Sequence, residues 1–93
     1  MSKGMKKVKE VTVDLHEGLE KLLLQDERVT LFCLNYIYTG KLAGVNGDCV
    51  LLENAAIVYE TGPLCDGQWK DAQPLPNAVY VMKSAIESFM VLK

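Results

Sequence analysis

Apolar residues recur at helical spacing in one stretch of the chain, where Leu15, Leu19, Leu22 and Leu23 fall on a common face over about residues 15–25. Asp14 is placed to cap this helix, with Glu17 three residues on in a capping-box-like arrangement. Gly18 inside it costs about 1 kcal/mol against alanine, so the helix depends on whatever its leucine face covers. After Asp26 and Glu27 the period changes. Val29–Tyr36 is rich in β-branched and aromatic residues and apolar on both faces, which suits a strand buried from two sides, with Asn35 allowing a tight reversal near Tyr36. Ile37–Val45 continues as a strand interrupted by Gly40 and Gly44, a pattern of strong bending or close backbone approach.

Asn46-Gly47-Asp48 is a hairpin signal whose Asn-Gly pair accepts positive φ angles, and it leads into apolar Cys49–Leu52 and on to Ile57–Tyr59. Residues 61–77 hold Gly62, Pro63, Gly67, Pro74 and Pro76 and read as a long inserted loop or hairpin extension. Ala78–Lys83 and Glu87–Leu92 then read as two further strands joined at Ser84-Ala85-Ile86. The expectation is a mostly β fold, with one N-terminal α-helix on a strongly bent, open, five-stranded antiparallel barrel. Residues 1–13 form a basic arm, and 14–93 a single domain.

Composition changes this picture little. At 49% hydrophobic and 24% charged, the 93-residue chain is an ordinary globular sequence rather than a disordered one, with a core small enough that a partner chain would add stability. Charge is uneven. Lys3, Lys6, Lys7 and Lys9 against Glu10 give the arm a local +3 within a total of −2, which leaves −5 for the remainder. No run is long enough to span a membrane and the arm lacks the apolar segment of a secretory signal, so a cytoplasmic location is expected. Cys33, Cys49 and Cys65 form no C-x-x-C pair, and His16 is the sole histidine. Neither a disulfide framework, a zinc cage nor any cofactor is expected, and Cys33 and Cys49 read as small core hydrophobes. One histidine placed on a helix and the absence of G-x-x-x-x-G-K-[ST] leave no catalytic constellation to assemble. No enzyme is expected.

The stretch Tyr38-Thr-Gly-Lys-Leu-Ala-Gly-Val-Asn-Gly-Asp-Cys-Val-Leu-Leu-Glu-Asn-Ala55, followed by Val81-Met-Lys-Ser-Ala-Ile86, resembles the two motifs of the Sm and Sm-like (LSm) family. The Glu27-Arg28-Val29 step from helix to strand is similar to the bacterial Hfq branch of that family. The resemblance covers most of residues 15–92, apart from the 61–77 insertion. It implies the same helix-on-bent-barrel fold, a cyclic homo-oligomer, and binding of single-stranded RNA in or near a central pore in a riboregulatory or RNA-chaperone role. The RNA-binding positions it points to are Asn46, Asp48, Lys83 and Ser84. Departures from the family pattern lie at these same places. Asn46 stands where aspartate is usual, Asp48 where an aromatic stacks on a base, Val50 where Sm proteins have asparagine, and Ser84 where Hfq has histidine and Sm proteins glycine.

Each candidate carries a plainer reading beside the functional one. Lys83 suits a phosphate contact or a solvated strand end; Asn46 suits a base contact or simple turn chemistry. Tyr36, Tyr38, Tyr59 and Tyr80 suit stacking or the core, and the arm suits RNA tracking or a solubilising terminus. Trp69 reads as the most exposed large aromatic. An open sheet has unpaired edges, and pairing of the fourth strand of one copy with the fifth strand of the next satisfies both, which places Val79, Val81, Phe89 and Val91 at a subunit interface. The competing expectation is a ring scaffold without RNA binding, acting through protein contacts of the 61–77 loop.

Overall fold

The computed structural model describes residues 15–93, with side chains from Gly18 onward. The basic arm and Asp14 lie outside the described residues, as does the Glu17 side chain, so the capping pair is outside them too. The order is α1 (Leu15–Leu24), β1 (Arg28–Cys33), β2 (Ile37–Val45), β3 (Cys49–Glu60), β4 (Asp71–Pro74), β5 (Val79–Met82), a 3₁₀ turn η1 (Lys83–Ala85) and β6 (Ile86–Val91). The fold is mostly β, one short helix on a six-stranded antiparallel sheet of order β4-β3-β2-β1-β6, with β5 also paired to β3.

Six strands replace the expected five. The extra one, β4, comes from the 61–77 segment, read as a long loop or hairpin extension, and makes it a hairpin on β3: Ala72 and Gln73 pair with Val58 and Ile57, and Pro74 is tolerated because β4 is an edge strand that need not donate there. Leu75 still donates its backbone N–H to the Ala55 carbonyl oxygen at 2.8 Å before Pro76 and Asn77 separate β4 from β5. β1 stops at Cys33, whose N–H donates to the Tyr36 carbonyl oxygen at 3.0 Å and closes the reversal at Leu34-Asn35.

The irregularities of the ladder follow the glycines. Register shifts interrupt the β2–β3 ladder between Thr39 and Lys41 and again between Leu42 and Gly44, the two places where Gly40 and Gly44 stand out in sequence. Opposite Gly40, β3 carries Asn54 at φ 47, a left-handed conformation that asparagine tolerates better than most residues. This bulge splits β3. Its first part pairs with β5, from Cys49↔Met82 to Leu52↔Val79, and its second with β4.

Leu19, Val29, Leu31, Leu42, Val50, Leu52, Ala55 and Val81 form one buried cluster. Leu19 is the helix's anchor in it, with Leu22 and Leu23 packed alongside. Gly18 lies against the Phe89 ring, 3.5 Å from where a Cβ would sit. β1 is buried on both faces as expected. On the side away from the core, the fully buried Thr30 donates to the Thr39 hydroxyl at 3.4 Å, and Thr39 donates to the Lys93 carbonyl oxygen at 2.7 Å.

Candidate nucleic-acid interface

The β2–β3 turn and the β5–β6 connection meet at one end of the sheet. Lys83 donates its backbone N–H to the Asp48 carbonyl oxygen at 2.8 Å, and Leu34 donates its own to the Ala85 carbonyl oxygen at 3.0 Å, so η1 is held at both ends. Asn46, Asp48, Lys83 and Ser84 thereby share one rim. Asn46, Asp48 and Ser84 are exposed, and Lys83 is half-buried.

The turn itself differs from the expected one. Neither Asn46 nor Gly47 has positive φ; among the described residues that region is occupied by Asp26, Asn54 and Gly62. The Asn46 side chain shapes the turn instead, its Oδ1 accepting the backbone N–H groups of Asp48 at 2.7 Å and Cys49 at 2.8 Å. Such an Asx-type closure does locally what a left-handed pair would do. It also orients the amide: with Oδ1 engaged twice, Asn46 presents its two N–H donors outward.

Two hollows border the rim. One, of about 230 Å³, is lined by Gly44, Val45, Asn46, Cys49, Leu51 and Tyr80. The other, of about 350 Å³, lies between α1 and β6 and is lined by Leu19, Lys83, Ile86, Glu87, Ser88 and Phe89.

The four expected interface residues lie on two of the three edge strands among the described residues, β5 and β6. Val81 is buried and Val79 and Phe89 pack against the core, so these three offer their backbones at the edge while Val91 alone exposes its side chain. The outward positions are their neighbours Tyr80, Met82 and Met90. Alternation is the signal for this: once Val81 faces inward, Tyr80 must face out.

Tyr80 is 68% exposed, and Trp69 is not the most exposed aromatic. The indole is half-buried because its Nε1 donates to the Lys93 carbonyl oxygen at 3.1 Å and the Lys93 ammonium sits 4.6 Å from its ring centroid. Tyr36 and Tyr38 meet edge-to-face with centroids 6.2 Å apart, Tyr36 exposed and Tyr38 packed on the core. Burial raises the Tyr38 hydroxyl above its ordinary pKa, and nearby Cys33, Tyr36 and Tyr59 add to the rise. Cys33 packs against the core and its thiol is also raised by burial, which keeps it protonated and a poor nucleophile at neutral pH.

No group of three or more metal-ligating side chains occurs among the described residues, and no helix there is long and apolar enough to cross a membrane. No protein-family model, curated protein or solved structure matches the chain.

Proposed function

We propose that this chain is the subunit of an Sm-like ring that holds single-stranded RNA by weak contacts repeated around a central pore. The observation that carries this reading is the Lys83–Asp48 backbone bond, which brings the two motif segments onto one rim. The sheet order adds support. Among the described residues, β6 ends the sheet on one side, and β4 and β5 pair only with β3 on the other, so each copy has unpaired strands on both sides. Head-to-tail pairing of β5 with the next copy's β6 would satisfy one strand on each side and repeat the rim once per subunit. At each repeat the outward amide of Asn46 would face a base carbonyl, Lys83 a phosphate, and Ser84 either. Multiplicity would raise the affinity of contacts that are individually weak.

A second reading is a ring that acts as a protein scaffold. Exposed Asp48 favours it, since a carboxylate at the rim repels phosphate, and so do the exposed Tyr80, Met82 and Met90. Fluorescence anisotropy with U-rich, A-rich and mixed single strands at two salt concentrations, beside size measurement by light scattering, separates the two. Salt-dependent binding by an oligomer that weakens in Lys83→Ala supports the pore. An intact ring that binds no strand even at low salt eliminates the RNA reading and leaves the scaffold.

A further inference from the structure

Residues 61–70 surround the side chain of Lys93. Its Nζ donates to the carbonyl oxygens of Gln68 at 2.6 Å, Pro63 at 2.9 Å and Thr61 at 3.5 Å, and lies over the face of Trp69. We propose that this loop is a binding site for a primary ammonium group, filled here by the chain's own Lys93 and open to a lysine side chain of a partner when Lys93 is withdrawn.

The chemistry of the site is matched to that group. A lysine ammonium has three N–H donors and no acceptor, and the loop offers three acceptors and one aromatic face. None of these groups is a carboxylate, so selection rests on geometry and the ring quadrupole. A planar guanidinium, whose donors fan out in a fork, does not fit three carbonyls converging on one point.

The cage is also shaped without its occupant. Lys70 donates its N–H to the Thr61 carbonyl oxygen at 3.3 Å and Asp66 to that of Pro63 at 3.1 Å, while the Thr61 hydroxyl donates to the Gly62 carbonyl oxygen at 2.8 Å. Gly62 has φ 65, where a side chain would be strained and its Cβ would press to 3.2 Å on Lys70 Cβ. β4 ties the far end of the loop to β3. Acceptors aimed in advance lower the ordering cost of binding. Meanwhile the Lys93 backbone is held separately, through its carbonyl oxygen, by Thr39 and Trp69. The side chain can leave while its anchor stays. Pro63 and Gln68 are exposed, so the mouth of the cage is reachable from solvent.

Trp69 is the sole tryptophan and reports on the site directly. Lys93→Ala in the full chain should keep its β-sheet circular dichroism and change its Trp69 emission. n-Butylammonium chloride should restore the parent emission saturably, whereas n-butanol and sodium chloride at equal concentration should not, and guanidinium at non-denaturing concentration should be weaker. In the parent protein the tethered Lys93 competes and already sets the Trp69 emission, so displacement is read instead from the Lys93 ε-methylene protons, which lie over the indole face, and should need roughly tenfold or more n-butylammonium. Absence of a saturable response in the variant, or an equal response to n-butanol, overturns the proposal. Should Lys93→Ala lose its sheet signal, Lys93→Met keeps the aliphatic stem and is titrated in its place. If both unfold, the parent titration decides, and no saturable shift of the Lys93 ε-methylene protons there overturns the site.

Discussion

Gly40 and Ala55 stand where β2 and β3 come too close for a second side chain. A Cβ on Gly40 would lie 3.1 Å from both Cα and Cβ of Ala55 and 3.0 Å from the Glu53 carbonyl oxygen. Two of these three neighbours are backbone, so relief requires the bulge itself to move.

Gly40→Ala should therefore destabilise the protein by about 1–3 kcal/mol, the range for overpacking a tight interior. Gly44→Ala is the control. Its Cβ would meet Leu51 Cβ at 3.6 Å, an ordinary distance, and removing a strand glycine should be neutral or stabilise by up to about 1 kcal/mol. Urea unfolding of both variants checks the pair, and equal losses would mean that the close approach does not set the cost.

If the rim holds RNA as proposed, Asp48→Phe should tighten that binding by about 1–3 kcal/mol for each base that gains a stacking surface. The turn should survive, because Asn46 Oδ1 binds the backbone N–H of residue 48 rather than its side chain. Lys83→Ala should weaken binding to all strands alike and reduce the slope of log affinity against log salt by about 1 for each phosphate no longer neutralised. Anisotropy titrations across salt concentrations read both effects.

The edge strands let the proposed assembly be tested apart from folding. Met90→Lys and Val91→Lys place charge on half-exposed positions of β6 and should leave circular dichroism unchanged while shifting light scattering toward monomer. Val81→Ala removes buried methyl groups and should cost about 1–3 kcal/mol of stability whatever the oligomeric state.

Alkaline pH should loosen the fold. Folding raises the Cys33 thiol above its ordinary 9.0 and the Tyr38 hydroxyl above its ordinary 10.0, so the folded state holds these protons more tightly than the unfolded chain. Stability is thus complete below pH 9 and falls as pH rises through the folded values. Cys33→Ala should lose part of that fall, measured as the melting temperature at pH 8 against pH 10. In the parent protein, Ellman's reagent at pH 8 should label exposed Cys65 well before Cys33.

Periodicity and glycine placement make most of the architecture legible. The leucine stripe of α1, both ends of β2, the two irregularities at Gly40 and Gly44 and the double burial of β1 are all readable from spacing. β4 is hidden because its four residues, Asp71–Pro74, have little strand propensity; pairing to β3 makes them a strand. The Asn46 turn is legible in position but not in geometry, since Asn-Gly signals left-handed backbone equally well when the asparagine side chain closes the turn. Lys93 gives no signal at all. Its partners are backbone carbonyls of a distant loop, which no local pattern encodes.

The pairing of β6 with β1 brings Val91 beside Val29, whereas β1, β2 and β3 are joined to one another by short turns. Local hairpins close quickly, and a ladder between the two ends of a domain carries the larger loop-closure cost. β6 is then the strand that arrives last and leaves first. In the interval β1 exposes a bare edge shaped for one sequence, that of β6, and any second copy of the chain carries it. The strand proposed to join neighbours across a ring is thus also the one most readily exchanged between them, so concentrated refolding should favour dimers with swapped β6 strands.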